Sequence, residues 1–142
     1  MNSLTTDSYQ LTIKNQTEDI LLVAAWLQDT FKKHEVAKKL LFKFDLCASE
    51  AVTNIISYAY PTDNEHEIVL NLMIEPSQIT LQIIDSGIAF NPLDRPDHVH
   101  PKDIDRMQVG GLGIYLIQHY MDTCNYLRDG DKNILTIQFD CE

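Results

Sequence analysis

The chain has 142 residues, 44% hydrophobic and 23% charged, which matches one domain spanning 1–142 and leaves no room for a second. Its 11 Lys and Arg against 21 Asp and Glu give a formal net charge of −10, so sequence-independent binding to nucleic-acid phosphates or anionic lipid headgroups is disfavoured. The longest apolar run, Ile20 to Leu27, is far shorter than the roughly 20 residues of a membrane span, and the amino terminus lacks a secretory pattern. Cys47, Cys124 and Cys141 are odd in number and widely separated, against a disulfide framework or a zinc site, so reduced thiols in a cytoplasmic protein are expected.

In chain order, Tyr9 to Lys14 alternates apolar and polar residues as a strand does. Thr17, Glu18 and Asp19 can open a helix whose apolar face comes from Ile20, Val23, Ala24 and Leu27. A second helical pattern runs from about Ala37 to Tyr60 and stops at Pro61. Glu67 to Ile74 and Ile79 to Ile84 read as strands on either side of a turn at Pro76. From about Phe90 to Gln108, prolines at 92, 96 and 101 mark a long loop, and such loops in compact domains are usually functional. Leu112 to Met121 reads as a helix, and Asn125 to Arg128 with Ile134 to Phe139 as a hairpin across Asp129-Gly130-Asp131. The order β, α, α, β, β, loop, α, β, β lacks βαβ alternation. It predicts an α/β two-layer sandwich, a mixed and mainly antiparallel sheet with helices on one face.

On the second helix, Leu41, Phe44, Ala48, Val52, Ile55 and Ala59 form the core face when wound at about 100° per residue, and Glu50, Asn54 and Ser57 are expected on the opposite side. Taken alone, that polar side is also what an ordinary solvated helix shows. Functionally, an Asn oxygen suits Mg²⁺, and a carboxylate one turn away could accept a hydroxyl proton. Asp85 closes an apolar strand and is followed by Ser86-Gly87. This is either a plain strand-exit turn or an acceptor for an exocyclic amine such as that of adenine, with a glycine that lets a flat ring approach. Gly110, Gly111, Leu112 and Gly113 precede an amphipathic helix, where backbone N–H groups can receive phosphate, yet they match neither G-x-G-x-x-G nor a P-loop. His34-Glu35 lacks the following residues of a phosphoacceptor box and reads as a helix end, and the other histidines show no metal-ligand spacing.

Glu50-x-x-x-Asn54, Asp85-x-Gly87 and Gly110-Gly111-Leu112-Gly113, in that order, resemble the N, G1 and G2 boxes of the GHKL ATPase superfamily. More narrowly, SEAVTNIISYAY, DSGIAFNP and the stretch from Val109 to Phe139 are similar to the stand-alone anti-sigma-factor serine/threonine kinases of partner-switching modules. The resemblance implies a Bergerat-type ATP-binding fold, ATP with Mg²⁺, and transfer of the γ-phosphoryl to a serine on a STAS-type antagonist. It also implies a sigma factor as a further partner and a homodimer as an assembly. Carried over residue by residue, Glu50 would be the general base, Asn54 would hold Mg²⁺, and Asp85 would bind the adenine amine. Gly87 would let adenine approach, and Gly110, Gly111, Leu112 and Gly113 would serve the lid and phosphates. Ala89 stands where the wider superfamily has a second glycine. Arg95, Lys102 and Arg106 are the cations between Pro92 and Gln108, and none is assigned to the γ-phosphate. The reading from another class is a nucleotide-binding adaptor that sequesters a partner without phosphoryl transfer. A histidine-kinase fragment ranks behind both because no dimerisation hairpin precedes the motifs.

Overall fold

The computed structural model describes residues 6–59, 65–89 and 116–141. The chain forms β1 (Asp7–Lys14), a 3₁₀ turn (Thr17–Asp19), α1 (Ile20–Lys33) and α2 (Lys38–Asn54), which runs on as a π-helical segment (Ile55–Ala59). Then come β2 (Glu67–Glu75), β3 (Gln78–Asp85), a helical stretch at 116–120, β4 (Thr123–Asp129) and β5 (Lys132–Asp140). The five strands lie in the order β1-β2-β3-β5-β4, and every neighbouring pair is antiparallel.

Period-two alternation decides which sheet face is covered. In β2, Ile68, Leu70, Leu72 and Ile74 are buried, and Leu81 and Ile83 of β3 and Leu135 and Ile137 of β5 continue that surface across the sheet. Val23, Leu27 and Phe31 of α1 and Phe44, Ala48 and Val52 of α2 complete the core against it. Each such Val, Leu, Ile or Phe side chain contributes roughly 1.5–3 kcal/mol on leaving water. Phe31 meets Phe44 edge-on at 5.5 Å between ring centres, joining the two helices. On the opposite sheet face polar residues pair across strands, as where Gln10 Nε2 donates to Asn71 Oδ1 at 2.8 Å. One face apolar and one face wet is the usual condition of an antiparallel sheet.

The expected sandwich is therefore observed, with the sheet antiparallel throughout. His34 ends α1 as expected, its Nε2 2.7 Å from the Tyr9 hydroxyl. Cys47, Cys124 and Cys141 are free thiols, and burial pushes Cys47 up to about 12 and Cys124 up to about 11. The β4–β5 hairpin turns at Gly130-Asp131, with Asp129 opposite Lys132. Gly130 has φ +61°, a conformation that glycine adopts without the Cβ clash of other residues. The second helix departs from the expected single α-helix: at Ile55 its hydrogen bonding widens to the π form, which occurs mostly as short segments at functional positions.

Candidate functional site

The site forms where the carboxyl end of α2 and its π-helical extension meet the end of β3. Asn54, expected on the solvated side of the helix with Glu50 and Ser57, is instead only 2% exposed. The small residues Cys47 and Ala51 are also buried, and they carry the covered arc of α2 round to Asn54. Glu50 borders that arc half-buried, and Ser57 is exposed. Asn54 and Asp85 line one small cavity of about 20 Å³ together with Ala51, Ile55, Ala59, Ile83, Tyr126, Asn133 and Leu135. The two polar residues drawn from separate motifs thus share a pocket, and Glu50 stands one helical turn before Asn54.

Asp85 is 4% exposed and its carboxylate is held on one side. Its Oδ1 accepts from the Gly87 backbone N–H at 2.8 Å and from Asn133 Nδ2 at 2.9 Å. Burial raises its proton affinity above the ordinary carboxylate range, while those two bonds and the charges of Arg128 and Lys132 oppose the rise. Burial likewise raises Glu50 and Asp45. Glu50 Oε2 is a buried acceptor that meets no hydrogen-bond donor among the described residues.

The turn after Asp85 is pinned from three directions. Arg128 Nη1 donates to the Gly87 carbonyl at 2.8 Å, Lys132 Nζ reaches Ser86 Oγ at 3.0 Å, and Ile88 N–H donates to the Ala59 carbonyl at 2.8 Å. Gly87 faces Ala59, whose carbonyl oxygen would lie 2.4 Å from a Cβ at position 87. Glycine is required here by the π-helical segment, and the cavity among the described residues has room for about one water.

Gly87→Ala should therefore destabilise the fold by about 1–3 kcal/mol, the usual cost of forcing a methyl into a close-packed position. Urea denaturation reads this directly, and an unchanged midpoint would show that Ala59 does not press on the turn.

The raised carboxylates also set a pH dependence. Asp45, Glu50 and Asp85 bind protons more tightly folded than unfolded, where 3.8, 4.5 and 3.8 apply. Stability from these groups therefore grows as pH falls from their raised values toward those ordinary ones. The melting temperature of the nucleotide-free protein should rise as pH is lowered toward the ordinary carboxylate values, and a steady fall on that approach would contradict the assignment.

Gly110, Gly111, Leu112 and Gly113, and the loop cations Arg95, Lys102 and Arg106, lie outside the described residues. Asn133, Tyr126 and Arg128 were not singled out from the sequence. Counting back by twos from Leu135 and Ile137 places Asn133 on the covered face of β5, and an amide at such a position was the available signal. A larger cavity, of about 620 Å³, lies at the other end of the sheet between Leu40, Ile74 and Phe139, and none of the predicted site residues lines it.

A sheet covered on one face by helices, with a buried strand-end carboxylate and a helix-borne amide lining one cavity, is the arrangement expected of the class of ATP-binding domain to which the three motifs pointed. The family model described as a histidine kinase-like ATPase domain matches residues 13–139, and the chain belongs to that family. Among its relatives, the serine/threonine-protein kinase BtrW of Bordetella bronchiseptica is 30% identical over 132 residues, covering 93% of this chain and 92% of its own length. The serine-protein kinase RsbW of Staphylococcus epidermidis is 26% identical over 141 residues, covering 95% and 88%. The serine-protein kinase RsbW of Listeria monocytogenes is 28% identical over 96 residues, covering 64% of this chain and 61% of its own. The resemblance to stand-alone serine kinases is borne out by these names. No helix among the described residues is long and apolar enough to cross a membrane.

Proposed function

We propose that this chain is an ATP-dependent protein serine kinase that also acts as an anti-sigma regulatory factor, phosphorylating a STAS-type antagonist in the cytoplasm as a single domain. The observation that carries the reading is the convergence of Asn54 and Asp85 on one cavity, with an oxygen of Glu50 that meets no donor among the described residues one turn away. Relatives named as serine-protein kinases over most of their length support the same chemistry.

Asp85 would accept the exocyclic amine of adenine, because its Oδ1 is already engaged by Gly87 and Asn133 and its other oxygen is left to a ligand. Glu50 would take the proton from the acceptor serine as that oxygen bonds to the γ-phosphorus and the bond from phosphorus to the β–γ bridging oxygen breaks, releasing ADP. A carboxylate whose proton affinity is raised by burial is a better base than one in water. The donor set also fits Mg²⁺: Asn54 brings a buried amide oxygen to the cavity, and a hard oxygen is what this ion takes. Asn54 would hold it, and when bound it would neutralise charge on the phosphates.

The alternative, a module that binds nucleotide and sequesters its partner without transfer, shares every residue except a working base. Incubation with γ-labelled ATP, with and without a purified STAS-domain protein, separates the two. Label on a serine of the added protein supports the kinase, and nucleotide retained without transfer supports the adaptor.

A further inference from the structure

We infer that Asn133 is a positioning residue that keeps one oxygen of Asp85 available for ligand recognition by standing between that carboxylate and Arg128. The inference rests on the reading of Asp85 as the adenine acceptor and goes beyond it in saying what makes the acceptor selective.

Asn133 is 4% exposed and sits directly opposite Asp85 in the β3–β5 register and opposite Arg128 in the β4–β5 register. Its Nδ2 donates to Asp85 Oδ1 at 2.9 Å and to the Ile88 carbonyl at 2.9 Å. Its Oδ1 accepts from the Tyr126 hydroxyl and from Arg128 Nη1 at 3.1 Å. Two donor hydrogens and two lone pairs are the full capacity of an amide, and all four are used. The amide orientation is thereby fixed. Turned over, it would face Nδ2 with two donors and Oδ1 with two acceptors.

The consequence falls on Asp85. Its Oδ1 is filled by Asn133 and the Gly87 N–H, and no donor among the described residues meets its Oδ2. Arg128 could in principle take both oxygens of a carboxylate in a bidentate pair. Here its Nη1 is held by the Gly87 carbonyl and Asn133 Oδ1 and its Nε by the Gly130 carbonyl. Asn133 therefore passes a single neutral hydrogen bond to Asp85 and holds the cation one residue away. Without the amide, Arg128 keeps its bonds to the Gly87 and Gly130 carbonyls but can turn its second terminal nitrogen, Nη2, onto Asp85 and cover the recognition oxygen.

The test compares ATP with purine riboside triphosphate, which lacks the 6-amino group, binding to the full chain. A hydrogen bond to a charged group should make wild type prefer ATP by at least about tenfold. In Asn133→Leu, and in the gentler Asn133→Ser, that preference should fall to less than about threefold. Tyr126→Phe, which removes one restraint on the amide and leaves Asp85 untouched, should give an intermediate ratio. A merely structural role for Asn133 would weaken both nucleotides by the same factor, and a preserved ratio in both Asn133 variants overturns the proposal while leaving Asp85 as the adenine acceptor. A wild-type ratio near one removes Asp85 from adenine recognition and takes the proposal with it.

Discussion

Asp85→Asn should lower the affinity for ADP and ATP by about 100-fold while leaving the nucleotide-free fold at least as stable as wild type. The substitution conserves shape. Its single oxygen must face the Gly87 N–H and Asn133 Nδ2, since the alternative orientation sets an NH₂ group against two donors. The new Nδ2 then occupies the place of Oδ2 and presents a donor to the donor amine of adenine. Losing a hydrogen bond to a charged group costs about 1.5–3 kcal/mol, and an unmatched donor adds to it, which together reach about two decades in affinity. The fold loses only a carboxylate that burial disfavours. Calorimetric titration of nucleotide alongside chemical denaturation checks both halves, and equal affinities in the two proteins would take Asp85 out of the site.

Glu50→Gln should slow phosphoryl transfer by roughly 10²–10⁴-fold with nucleotide affinity changed by less than about threefold. Glutamine keeps the volume and the helix and loses proton acceptance. Phosphoryl transfer depends mainly on positioning and charge neutralisation, so removal of the base should appear in turnover, not in binding. Glu50 does not line the cavity shared by Asn54 and Asp85, which is why binding should survive. Single-turnover rates for both proteins decide it, and a wild-type rate in the variant would move the base elsewhere.

Much of the fold was legible because its signals are periodic. The alternation of Ile68, Leu70, Leu72 and Ile74 fixes a covered strand face, and the α1 spacing of Val23 and Leu27 fixes a covered stripe. The identity of Asn54 and Asp85 as a pair came from motif order, yet the placement of Asn54 was missed. The core face drawn from Leu41, Phe44, Ala48, Val52, Ile55 and Ala59 left out Cys47 and Ala51, and with these two buried as well the covered arc of the helix reaches Asn54. The π-helical segment at Ile55–Ala59 was not legible either, since a change of hydrogen-bond register leaves no mark in apolar spacing. Nor was the close packing of Gly87 against Ala59, which depends on a contact between elements far apart in the chain. Asn133 depends on a strand pairing separated by 48 residues from Asp85, which no local pattern reports.

The proposed activity predicts a fixed stoichiometry. Wild-type protein mixed with Mg-ATP and its STAS-type partner should form phosphoserine on that partner and release ADP in equal amounts, with neither product when the partner's acceptor serine is replaced by alanine. ADP released without phosphoserine, or ATP recovered intact from the complex after prolonged incubation, would contradict a kinase.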